Sequence, residues 1–164
     1  MTAWWPTKVR QFFRYIFGRV GTAERSELTG WLTKAQVDLF DSMHRADQRH
    51  GLDVVRALRG AGHDDHDVLV AGLLHDCGKG RKVALWHRVG WSLADHYGGF
   101  VRRSLVRLPG FGRAFITLDN HAATSAALAL AAGCTPRCAD LIRHQADPAD
   151  DELGMALHLA DEAS

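Results

Sequence analysis

The sequence predicts an all-α protein, a helical bundle of roughly eight helices. Apolar residues recur at spacings of three and four between turn residues, the period of a helix face. Runs of alternating strand-like residues are absent. Helix-start signals stand ahead of the apolar stretches, with Thr33 before one and the pair Thr135–Pro136 before another. At 164 residues, with 46% hydrophobic and 24% charged residues, the chain suits one sizeable core. It contains no internal repeat and no low-complexity segment.

The elements follow in order. Val9, Phe12, Phe13, Ile16 and Phe17 form the stripe of a first helix, and "GTAERSELTG" reads as a linker. Residues 1–32 are therefore an aromatic, basic helix with its linker, and residues 33–164 the main domain. Thr33 caps a helix carrying Val37, Leu39, Phe40 and Met43. That helix runs into, or kinks before, another with Leu52, Val54, Val55 and Leu58. "RGAGHDDHD" reads as a turn, and Asp67 caps a helix over 68–76 that Gly78 and Gly80 stop. Helices are expected over 83–96, 99–106, 120–132 and 135–145. A final one follows Pro148, with acids in its first turn.

The formal net charge of +1 gives no global field to recruit nucleic acid, and no stable nucleic-acid partner is expected. Three cysteines, Cys77, Cys134 and Cys138, form no spaced framework and read as small buried thiols. With no secretory leader visible, they point to a reducing, cytoplasmic setting. The longest uncharged stretch, residues 122–135, is too short to span a bilayer. The segment 4–20 is aromatic on one side and carries Lys8, Arg10, Arg14 and Arg19 elsewhere. It packs on its own domain or docks peripherally on a membrane or a protein.

Histidine is the outlier, with ten in the chain. The stretch "GLLHDCGKG" ends an apolar helix on His75 and Asp76, where desolvation is costly unless something satisfies both groups. Further candidate ligands, His50, His121, His144 and Asp161, sit on separate expected helices, as in metal sites of helical bundles. A mixed nitrogen and oxygen set suits Fe, Mn, Zn or similar ions rather than structural zinc. His63 and His66 lie in a polar turn, His44 is out of phase with His50, and His158 fits no pattern. His87 and His96 follow the His75 helix closely enough to line a pocket. Arg102, Arg103 and Arg107 are spaced along one face, as a solvated surface or a phosphate contact.

Taken in order, His50, the pair His75–Asp76 and Asp161 resemble the H…HD…D signature of the HD-domain metal-dependent phosphohydrolase superfamily. "VLVAGLLHDCGKG" is similar to that family's "ALLHDIGK" segment, with Cys77 where Ile or Val is usual. "DQRHGLDVVRAL" resembles its first-histidine helix. "NHAATSAALALAAGC" and "LIRHQ" resemble the histidine helices of its two-metal branch. The resemblance spans roughly residues 43–163. It implies an all-α HD domain over 33–164, one or two divalent ions (Fe, Mn, Zn, Mg or similar) and hydrolysis of a phosphate mono- or diester, often a nucleotide. By position it makes His50, His75, Asp76 and Asp161 the core ligands, with Asp76 able to bridge two ions. His121 and His144 would complete a second site, and Lys79 would contact a substrate phosphate.

The chain departs from the two-metal cyclic-dinucleotide phosphodiesterases at His144–Gln145, where they pair histidines, and it lacks their Gly-Tyr-Pro signature. Two other readings use the same ligands: a di-iron HD-fold oxygenase, and a non-catalytic, metal-stapled module that binds a nucleotide or docks a partner.

Overall fold

The computed structural model describes residues 18–81, 83–148 and 152–164. Within them the chain is all-α, as expected, with ten α-helices, one short 3₁₀ turn and no strand. The helices are α1 (Thr22–Thr29), α2 (Lys34–Ser42), α3 (Arg45–Gly60), α4 (His66–Leu74), α5 (Leu85–Tyr97), α6 (Gly99–Leu105), α7 (Phe111–Asp119), α8 (His121–Ala131), α9 (Pro136–Arg143) and α10 (Glu152–Ala163). The 3₁₀ turn, Cys77–Lys79, follows α4. None of these helices is long and apolar enough to cross a membrane. The aromatic stripe expected at residues 9–17 lies outside the described residues.

α4 is the central element. Val68 through Leu74 are all buried, so it is enclosed on every side rather than along one stripe. α3, α9 and α10 pack directly around it. Phe40, Met43, Val54, Leu58, Ile142 and Leu157 are among the side chains that close the core.

Several expectations are corrected. The "linker" 21–30 contains α1. Its N-terminus is held by a backbone-to-side-chain bond, Gly21 N–H to Glu24 Oε2 at 2.7 Å, and Leu28 is buried in the main core. Between α2 and α3, where a continuous run and a kink were both open, the chain breaks at Met43–His44, and the His44 ring caps α3 by accepting from Ala46 N–H at 3.2 Å. α4 starts earlier than expected. Asp65, not Asp67, is its cap and accepts from the N–H groups of Asp67 and Val68. α4 also stops at Leu74, leaving His75 as the cap residue and Asp76 beyond it. An additional helix, α7, occupies the stretch after Pro109, with Ala114, Phe115 and Leu118 turned inward.

Candidate metal centre

The site forms where four segments meet: the first half of α3, the end of α4 with its 3₁₀ turn, the start of α8, and the last turn of α10. The α3–α4 crossing is very close, since a Cβ on Gly51 would lie 2.4 Å from the Leu73 carbonyl oxygen. Only glycine fits there. The neighbouring residue, His50, is thereby brought beside His75, with ring centroids 5.1 Å apart in an edge-on arrangement.

His75 is 2% exposed and Asp76 3%. Because α4 ends at Leu74, the His75 ring folds back, and its Nδ1–H donates to the Gly72 carbonyl at 2.9 Å. That bond leaves Nε2 facing two carboxylates, 3.5 Å from Asp76 Oδ1 and 3.4 Å from Asp161 Oδ1. His50 Nε2 lies 2.7 Å from Asp161 Oδ1. One ligand atom each from His50, His75 and Asp76 falls within 4.8 Å of the others, a group that can hold a metal ion.

The electrostatics agree with a cation-seeking cage. Burial opposes charge on His75, yet Asp76 and Asp161 outweigh it and hold the ring's pKa at about 9. Burial likewise opposes ionisation of Asp76, and Lys79, His75, His50 and His121 overcome it and pull its carboxyl well below the usual range. For Asp161 burial is overcome by the hydrogen bonds from His50 and His75. A proton on His75 thus supplies positive charge between buried Asp76 and partly exposed Asp161. A divalent ion bound by imidazole nitrogen and carboxylate oxygen fits the same donor set.

The remaining candidates divide. Lys79 Nζ is 2.6 Å from Asp76 Oδ2. His121 Nε2 is 3.6 Å from Asp76 Oδ1. Its Nδ1–H donates to Leu118 O at 2.5 Å, so Nε2 is an acceptor, and the Gln145 amide Nε2 sits 3.1 Å from it. His144 does not join the cluster. Its ring is half exposed beside Asp140, with Nε2–Oδ1 at 3.5 Å, and the buried side chain turned toward His121 is the next residue, Gln145. The second site expected from His121 and His144 therefore lacks His144.

A cavity of about 730 Å³ opens from this cluster, within the range of small-molecule sites. Sequence reasoning missed several of its lining residues. They include Arg49, Arg88, Trp91, Gln145 and His158. Arg88 reaches it through a two-pronged ion pair with buried Asp47, one arm being 2.7 Å from Oδ2. His158 donates through Nδ1 to the Gln145 carbonyl at 3.0 Å. Its spacing from Asp161, three residues on one helix, was the readable signal. His87 and His96 line other surfaces. His87 packs against Phe111 and His96 against Tyr97. Cys77, Cys134 and Cys138 are all free and buried, and burial pushes the Cys77 thiol up to about 12.

Searches against protein-family models, curated proteins and solved structures found no match to this chain.

Proposed function

We propose that the protein is a metal-dependent phosphohydrolase of the HD-domain type, acting on a phosphate ester, with a nucleotide as the favoured substrate. The observation that carries the reading is the meeting of His50, His75, Asp76 and Asp161, drawn from α3, the α4 terminus and α10, at one end of a 730 Å³ cavity. These are the four positions at which the sequence resembles the H…HD…D signature.

His50, His75, Asp76 and Asp161 would hold the ion. A divalent ion bound there supplies positive charge for phosphoryl oxygens and a water acidic enough to act as nucleophile near neutral pH. Lys79, fixed by Asp76, presents a cation at the cavity wall for a non-bridging phosphate oxygen. Arg88 adds charge on the same wall while Asp47 fixes its direction. Trp91 offers an apolar ring edge beside it for the organic part of the substrate. The exposed placement of His144 favours one strongly held ion over two.

Metal analysis of the purified chain, coupled to phosphate release from a panel of nucleotides and simple esters, tests the reading. The expected result is about one equivalent of metal and turnover that chelation abolishes. Asp76→Ala should lose both metal and turnover. Metal-replete protein without turnover on any ester would leave a binding module, and an iron-linked absorption band with oxygen consumption would favour the oxygenase.

A further inference from the structure

Residues 81 and 83–119 build a lobe beside the main core. Val83, just before α5, and Ala114 and Leu118 of α7 form a small buried cluster with Trp91 of α5 packed against it, and α6 buries none of its own residues. This lobe carries seven of the eleven large apolar side chains exposed among the described residues. Phe100 is 74% exposed, Ile116 65% and Trp86 64%. Helical spacing orders them: Trp86, Val89 and Tyr97 share a face of α5, and Ile116 stands one turn from Arg113 on α7.

Charge is as uneven as hydrophobicity. Residues 81–119 hold seven Arg and Lys against two Asp, whereas the whole chain has 20 basic and 19 acidic residues, so the remainder is net acidic. Arg88 and Arg102 are engaged by Asp47 and Asp119. Arg103, Arg107 and Arg113 are exposed.

We infer that this lobe is a docking surface for an anionic lipid bilayer. Aromatic rings beside arginines match the composition of an interfacial anchor, with rings at headgroup depth and guanidinium groups on the lipid phosphates. Ile116, Leu108 and Val106 are aliphatic and half exposed or nearly so. They gain from contact with acyl chains, whereas a nucleic acid would offer them no stacking partner. The inference stands apart from the phosphohydrolase reading, because none of these side chains lines the cavity.

Co-sedimentation of the full chain with phosphatidylcholine vesicles, with and without a quarter of phosphatidylglycerol, tests it. Binding is expected to the anionic vesicles only, and to weaken as salt rises. The triple variant Arg103→Gln, Arg107→Gln, Arg113→Gln should lower partitioning roughly 100-fold, at about fivefold for each basic side chain. The double variant Phe100→Ser, Ile116→Ser should lower it about tenfold with the charge intact. All five positions are exposed, so thermal unfolding of both variants should match the parent. Wild-type binding retained by both variants would assign docking to residues 4–20 and overturn the inference. Absence of binding to anionic vesicles would overturn it too, as would variant-sensitive binding to an oligonucleotide alone.

Discussion

Gly78→Ala is the sharpest probe of how the centre is held. Gly78 sits in the 3₁₀ turn between Asp76 and Lys79 and presses on the first turns of α8. A Cβ there would lie 2.5 Å from the His121 carbonyl oxygen and 2.7 Å from Ser125 N. Both are backbone atoms, so no rotamer change relieves the contact. The turn would have to withdraw by roughly 1 Å to reach ordinary packing distance. That shift also stretches the bond from Gly78 N–H to Ser125 Oγ, now 2.8 Å.

Overpacking of this kind costs about 1–3 kcal/mol, and the weakened buried hydrogen bond adds about 1. Removing a glycine stabilises through the unfolded chain by about 0.4–1 kcal/mol. The net expectation is a loss of about 2 kcal/mol in urea unfolding, together with weaker metal binding, because Asp76 moves with the turn. Ser125→Ala serves as the companion. It removes the hydroxyl acceptor without wedging the helices, so it should cost stability while leaving metal affinity closer to wild type. A Gly78→Ala variant with an unchanged unfolding midpoint and unchanged metal affinity would refute the close-contact argument.

Three further outcomes are expected. Glu24 is held at a pKa of about 2, first by the Gly21 N–H, against burial, and then by Arg49 and Arg56. Glu24→Gln should therefore cost about 1–2 kcal/mol at pH 7. A depressed carboxyl stabilises above its unfolded pKa, so the gap should hold down to about pH 5 and close as pH falls from about 4.5 toward 2; urea midpoints across that range check it. On the proposed phosphohydrolase reading, Lys79→Ala should leave metal content unchanged but lower kcat/KM by roughly 10–100-fold, with partial recovery in Lys79→Arg. Were Lys79 only a solvated cap, kcat/KM would stay constant in the same preparation. His144→Ala should leave metal content unchanged and stability within about 0.5 kcal/mol, since its ring faces solvent. Depletion of one of two ions, measured by elemental analysis, would restore the second-site reading.

The all-α class was legible because periodicity is a local signal; the glycine stop after α4 was legible too, although the helix ends at Leu74 and not at Asp76. α7 was also written locally, in the spacing of Phe111, Ala114, Phe115 and Leu118, although no helix was expected there. α1 was less legible. It buries only Leu28, and its stabilising partners, Arg49 and Arg56, lie 25 and 32 residues away in sequence. The choice between His144 and Gln145 was beyond sequence resolution. One residue turns a side chain by about 100° on a helix, and α9 ends at Arg143, so the geometry of a C-terminal turn decided which of the two faces His121. Asp65 and Asp67 present the same difficulty at the start of α4.

An apolar helix ends on two metal-capable residues because its ending is what orients them. Were α4 to continue past Leu74, the Gly72 carbonyl would be bonded within the helix and the His75 ring would lack its fixed acceptor. The break frees that carbonyl for His75 Nδ1–H, which fixes the tautomer and turns Nε2 toward Asp76 and Asp161. The carbonyl end of α4 also favours positive charge at that place, and Lys79 already stands there on Asp76. Two glycines then set the distances. Gly51 lets the α3 backbone touch Leu73 so that His50 meets His75, and Gly78 lets the turn touch α8 so that Asp76 meets His121. The site thus depends on side chains that are absent as much as on those present. Gly51→Ala should consequently perturb metal binding even though residue 51 has no atom able to bind an ion.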